Sequence, residues 1–397
     1  MKKKILFLGG SFFQIPPIRY AKDQGHYIIT CDYFPHNPGH KYADEYHNVS
    51  TTDQEAALEL ARRLGIDGVV VYGSDPAAIT AAYIADKLGL CGNPYESVKV
   101  LTQKDIFRDF LRKNNFNTPF SASFSSLSEA EEYLNSVTQP VMIKPVDSSG
   151  SKGVFKITSP EQLPLAFAEA LSYSRVKRVI IEEYIERKGC QIAGDGFVIN
   201  GKLVFRCFGQ EHFNKRNPFS PVGESFPLQL AEVLQSKVHD EIERLLLLLN
   251  MKTGALNFDI VLNKNNDVFL MEIGPRAGGH LISEVIKYST GVDLVKYIVD
   301  GALGLDCTDL KMYETADCYS NYAFHSEKEG LYKSLVIDET IEKNIIEKFV
   351  FVEEGTPVSS FKNSNGILGC LILKFESPDE MLQKMESINE MIKVEVI

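Results

Sequence analysis

Near-continuous apolar runs alternate with helical patterns over the first hundred residues, and that alternation leaves few folds open. Lys4–Leu8 ends at Gly9-Gly10, Tyr27–Cys31 ends at Asp32, and Gly68–Tyr72 ends at Gly73-Ser74-Asp75. Between and after them the spacing predicts helices over Pro17–Gln24, Glu55–Leu64 and Pro76–Leu88, with Gly25 and Gly89 as stops. Strands without polar alternation are buried on both faces, so a parallel sheet covered by helices on each side is expected. Ligands of such sheets bind at the carboxyl ends of the strands. Gly9, Gly10, Asp32, Gly73, Ser74 and Asp75 all fall there. Gly9-Gly10 followed by Asp32 looks like part of a dinucleotide fingerprint. The run G-G-S-F-F-Q, however, lacks the third glycine that lets the helix pack close, so a nicotinamide site is not expected.

Composition excludes several classes of function. The chain has 397 residues and a formal net charge of −11, which speaks against nucleic acid or an anionic membrane surface as partner. A local cluster of Lys, Arg and backbone N–H groups is still enough for a phosphate ligand. No apolar run approaches the roughly 20 residues that span a bilayer. Leu245–Leu249 is flanked by Glu243, Arg244 and Asn250. The opening MKKKILFLGGSFF imitates a leader but has no small-residue cleavage site after it. Seven scattered cysteines with no CxxC pair fit free thiols in a reducing cytosol, so a cytoplasmic location is expected.

After a helix over Gln103–Lys113 the pattern becomes β-rich from Pro140: Val141–Lys144, Val154–Ile157, Val179–Glu182, Phe197–Ile199 and Leu203–Cys207. A long helix over Leu228–Leu249 precedes strands at Ala255–Leu262 and Val268–Ile273, joined by the turn Lys264-Asn265-Asn266. The tail from about Asp306 reads as strands near Ser320–His325, Gly366–Phe375 and Val394–Ile397, with helices near Glu339–Glu347 and Pro378–Ile392.

Three features carry chemistry. A strand delivers Lys144, then Ser148-Ser149-Gly150-Ser151-Lys152-Gly153 turns, and a second strand returns. Such a glycine-rich hairpin can fold its backbone N–H groups over phosphates. It is no Walker A loop, since Gly153 follows Lys152 and no helix follows. Next, Asp259 and Glu272 interrupt otherwise apolar strands, where a carboxylate is costly unless paired, hydrogen-bonded or on a metal. Pairing about the Lys264–Asn266 turn brings the two together on neighbouring strands. Magnesium, a hard ion that takes oxygen ligands, suits such a pair. The competing reading gives each carboxylate a Lys or Arg partner. The third feature, Glu182-Glu183-Tyr184-Ile185, lies between these two in sequence.

Together these motifs resemble the ATP-grasp enzymes, in particular the carboxylate–amine or carboxylate–thiol ligases, over most of the chain to about residue 305. The implied fold is α/β and α+β. An N-terminal Rossmann-like parallel-sheet domain (1–102) leads into an ATP-grasp fold of two α+β subdomains (103–305, the small glycine-hairpin subdomain about 118–190). A small C-terminal α+β region (306–397) completes the ligase. The resemblance implies ATP with Mg²⁺ or Mn²⁺. Lys104 and Lys144 would hold phosphates, and Ser148, Ser149, Gly150, Ser151, Lys152 and Gly153 would close over them. Glu182, Glu183, Tyr184 and Ile185 would line the adenine pocket, and Gln191 would reach the ribose. Asp259 and Glu272 would hold the metal. Arg276, with Lys144, would act on the transferred phosphoryl and the acyl phosphate. The implied substrates are a small carboxylate and an amine, with no nucleic acid or membrane partner, and the assembly is expected to be a homodimer.

One departure stands out. The family usually has Asn two residues after the second acidic ligand, and here that place is Gly274. This keeps a non-catalytic nucleotide-binding protein open beside the ligase. A purine-pathway ligase of the phosphoribosylglycinamide synthetase type is the other alternative. His280 is read as a substrate contact or a helix-terminal structural residue, and Gln210–Arg216 as an exposed polar loop.

Overall fold

The computed structural model describes residues 2–313 and 317–397. Its first sheet is parallel throughout, in the order Glu45–His47, Tyr27–Cys31, Lys4–Leu8, Gly68–Val70. The two-sided burial expected from the apolar runs is visible along one strand. Ile5 and Phe7 pack with Ile18 and Ala21, whereas Leu6 and Leu8 pack with Ala57, Ala61, Ala77 and Ala81. Successive side chains of a strand point to opposite faces, so a strand with helices on both sides has no polar position to spare.

A four-stranded antiparallel sheet follows, in the order Ser121–Phe124, Val179–Glu183, Val141–Pro145, Phe155–Ile157. The helices Leu127–Ser136 and Leu163–Tyr173 cover one face through Leu134 and Phe167, packed on Val141, Ile143, Val179 and Ile181. By the period of two, Met142, Lys144 and Glu182 share the other face.

The largest sheet has eight strands. Its order is Val268–Gly274, Gly254–Leu262, Ile192–Ile199, Lys202–Phe213, Pro221–Phe226, Cys318–His325, Ile367–Phe375, Ile345–Val350. The helix Glu232–Leu248 packs on it through Val238, Ile242, Leu245 and Leu246. Three strands of the tail thus extend the sheet that carries Asp259. A three-stranded sheet of Pro357–Val358, Gly330–Ile337 and Ile392–Val396 lies beyond them. Among the described residues no helix is long and apolar enough to cross a membrane.

Several local expectations change. The helix expected over Glu339–Glu347 stops at Glu342, and Ile345–Val350 is an edge strand paired with Ile367–Phe375. Its isoleucines, phenylalanine and valine fit a half-buried pleated surface better than a helix. Gln210–Phe213 is no loop but the end of a 12-residue strand. The strands Glu45–His47, Ser121–Phe124 and Pro221–Phe226 and the helix Tyr95–Thr102 were not expected, being short and polar or lacking a clear period.

Candidate active site

Asp259 and Glu272 lie directly opposite each other on adjacent antiparallel strands. The register shifts immediately afterwards, since Ile260 pairs with Leu270 and leaves Met271 over. This bulge breaks the strict alternation, so Met271 and Glu272 both line the same cavity as Asp259. The cavity holds about 420 Å³ and lies between the four-stranded and eight-stranded sheets.

Burial and the charge of Glu272 raise the Asp259 carboxyl to about 7, against the pull of Lys144, Arg108 and Lys104. Two acids forced together in a poorly solvated place resist ionising. Glu272 has a cation of its own, because Lys104 Nζ lies 3.0 Å from Glu272 Oε2. The same ammonium donates to the Ser148 carbonyl at 2.9 Å, tying the helix Lys104–Lys113 to the glycine hairpin. Among the described residues no group of three His, Cys, Asp or Glu side chains forms a metal cage. A cation bound here would take these two carboxylates and complete its shell with phosphate oxygens and water, as magnesium commonly does. The hard oxygen donors and the raised Asp259 both fit such an ion.

The hairpin forms one wall of the cavity through Ser148, Ser149, Gly150, Ser151 and Lys152. Gly150, Ser151 and Gly153 all have positive φ, which turns the chain tightly. The base of the hairpin is firm, because the Asp147 carboxylate accepts from Ser174 Oγ and from the backbone N–H groups of Arg175 and Val176. At the tip Ser151 Oγ donates to the Phe219 carbonyl at 2.7 Å, and Ser364 N donates to the Gly150 carbonyl at 3.3 Å. Gly153 faces away from the cavity. A Cβ there would lie 2.9 Å from Ala170 Cα, so it is the close approach of the helix Leu163–Tyr173 that requires glycine.

Lys144 lines the cavity floor and hydrogen-bonds the Glu182 carboxylate. Glu182 is fully buried and also pairs with Arg108 at 3.0 Å. Burial alone would raise its carboxyl, but Arg108 and Lys144 win and hold it at about 2. Glu183, Tyr184 and Ile185 line the cavity without Glu182. Lys156 sits 3.6 Å over the Tyr184 ring. Gln191 lines the cavity too, but its amide nitrogen bridges Asp259 (2.6 Å) and Glu211 (2.7 Å). Arg276 sits outside this cavity's lining and is gripped by Asp75, with Nε donating at 2.9 Å and Nη2 at 2.5 Å.

Three acids around the site were passed over in the sequence, and a fourth was placed at a strand end without its partner. Burial first, and then the charge of Asp259, pushes Glu211 well above its usual range. Burial first, then Asp195, does the same to Glu224, one of whose oxygens has no hydrogen-bond partner. Asp195 is raised to about 6 by burial, although Asn257, the Gly278 N–H and Ser283 donate to it. Asp75 is the fourth, through its grip on Arg276. Asp195 interrupts the apolar strand IAGDGFVI, the very signal that drew attention to Asp259. His280 is half-buried against the Phe13 ring, and desolvation, helped by the charge of Arg276, lowers its imidazole to about 4. It precedes the helix Ile282–Thr290 in a left-handed conformation.

Residues 137–284 match the ATP-grasp domain family. The carbamoyl phosphate synthase large chain of Thermoanaerobacter pseudethanolicus is 24% identical over 257 residues, which is 64% of this chain and 23% of that one. The chain therefore spans less than a quarter of the curated relatives of this kind that head the comparison. Among solved structures, L-amino acid ligase from Bacillus licheniformis superposes with a TM-score of 0.82 at 19% identity, over 100% of this chain and 99% of that one. Phosphoribosylglycinamide synthetase from Anaerococcus prevotii superposes with a TM-score of 0.77 at 23% identity, over the whole of both chains.

Proposed function

We propose, from the ATP-grasp domain that residues 137–284 carry, that this chain is an ATP-dependent carboxylate–amine ligase. The observation that carries the reading is the facing pair Asp259 and Glu272 on the wall of a cavity whose other walls are Lys104, Lys144 and the glycine hairpin.

A carboxylate is a poor acyl donor because oxide would have to leave. In the proposed reaction a carboxylate oxygen attacks the γ-phosphorus of ATP, the bond to the β-phosphate oxygen breaks, and ADP leaves. The amine then attacks the acyl carbon, phosphate departs with the former carboxylate oxygen, and the amine loses a proton. Phosphoryl transfer asks mainly for positioning and charge neutralisation. Lys104 and Lys144 supply fixed positive charge, and the hairpin supplies backbone N–H groups. Asp259 and Glu272 would hold magnesium, which when bound neutralises phosphate charge and polarises it. Glu183, Tyr184 and Ile185 provide the edge against which the base would lie. Closure of the hairpin would keep water from an intermediate that hydrolyses readily.

An amino-acid-like acceptor suits the surroundings. Asp195 and Glu224 lie near enough to Arg276 for their charges to interact, and the unpartnered Glu224 oxygen offers a hydrogen-bond partner to an amine. The likeness to an L-amino acid ligase in fold supports the same substrate class. The test is ADP release across pairs of carboxylic acids and amino acids. Turnover is expected to need both partners and to fall by about a hundredfold or more in Lys144→Ala. Turnover that persists in that variant, or none with any pair, would contradict the reading.

A further inference from the structure

The geometry points to Asp75 as a positioning residue of the proposed ligase site, one that works by fixing Arg276, and to Gly274 as the residue that leaves room for it. This rests on the ligase reading. Asp75 opens the helix Asp75–Leu88 beside the parallel sheet, 201 residues away in sequence from the arginine it holds. Both carboxylate oxygens accept from the guanidinium, in the two-pronged arrangement that fixes orientation as well as distance. The two side chains are 14% and 11% exposed, so little water competes with the pair.

The surroundings are shaped for this contact. A Cβ at residue 274 would stand 2.9 Å from Asp75 Oδ1 and 3.3 Å from Arg276 Cζ. Any side chain there would push the carboxylate off the guanidinium. Gly274 lies two residues beyond Glu272 on the same strand, so the missing side chain and the incoming carboxylate meet at the edge of the site. The loops are joined a second time, where the Gly73 N–H donates to the Ala277 carbonyl at 3.2 Å. Gly73 has φ +63, and a Cβ on it would touch Gly279.

The hydrogen-bond count leaves Arg276 with work to do. A guanidinium has five N–H donors. Two go to Asp75 and one to the Ala277 carbonyl at 3.1 Å, so two remain. Because the other three are spent on fixed partners, the direction of the free pair is set before any ligand arrives. That is the preorganisation that stabilises a charge appearing only in the transition state.

The full chain tests this without turnover. MgADP binding is measured by calorimetry, then repeated with aluminium fluoride, whose complex stands for the phosphoryl group in transit. In the wild type the fluoride should tighten ADP binding. In Asp75→Ala, MgADP alone should bind as before, which also shows that the variant is folded. The extra tightening should fall by about tenfold or more, the worth of a hydrogen bond to a charged group. Gly274→Ala should lose the same increment, and Asp75→Ala/Gly274→Ala should be no worse than Asp75→Ala, since both act on one contact. An undiminished increment in Asp75→Ala, or losses that multiply in the double variant, would overturn the assignment while leaving the ligase reading intact. A wild type that does not bind MgADP would remove the ligase reading and this inference with it.

Discussion

Glu182 shows how a single residue can belong to the site and to the fold at once. Its buried carboxylate is the counter-charge for Arg108 and Lys144, and only Lys144 of the three reaches the cavity. Arg108 is itself 1% exposed, with both terminal nitrogens unpartnered, so it depends on this carboxylate heavily. Glu182→Gln is expected to cost about 3–5 kcal/mol, the usual result of stranding a buried partner, measured by urea denaturation. The pH dependence has a definite sign. The folded-state value, about 2, lies below the ordinary 4.5. The stabilisation is therefore complete above about pH 4.5 and is lost as the pH falls toward 2. Glu182→Gln should remove this part of the acid sensitivity, seen as a flatter stability curve in that window.

At the scale of elements, the glycine hairpin divides into a fixed base and a lightly held tip. Gly153 belongs to the base, because its missing Cβ admits the helix Leu163–Tyr173. Gly153→Ala meets both a positive φ and a backbone clash, so it should destabilise by about 1 kcal/mol or more, read from a urea midpoint. A variant as stable as the wild type would show that the helix gives way easily. The hairpin was legible in the sequence because glycines and serines between two apolar runs have few other uses. Its neighbours were not. Ser121–Phe124 has too polar a composition to signal a strand, and only pairing with Val179–Glu183 makes it one. Ile345–Val350 was hidden inside a helical pattern because the partner strand that decides its conformation is distant in sequence.

At the scale of the molecule, the site is assembled from distant parts of the chain. The parallel-sheet region supplies Asp75, the four-stranded sheet supplies Lys144 and the hairpin, and the eight-stranded sheet supplies Asp259 and Glu272, with Arg276 in the loop just after its edge strand. The chain is acidic at −11, yet Lys104, Lys144, Lys152 and Arg187 converge on one cavity. Local signals could find Asp259 and Glu272, because a carboxylate in an apolar strand is costly wherever that strand packs. They could not find the bond from Asp75 to Arg276, which exists only once two layers meet. They also could not reveal that Gln191 bridges two acids, since Glu211 reads as part of a polar loop until the strand is seen to continue through it. The most direct test of the whole account is calorimetric titration of ATP, with and without magnesium, into the wild type and into Asp259→Asn/Glu272→Gln. Magnesium should tighten ATP binding to the wild type and have little effect on the double variant. An equal magnesium effect on both proteins would show that this carboxylate pair does not hold the ion, and the account would fail at its centre.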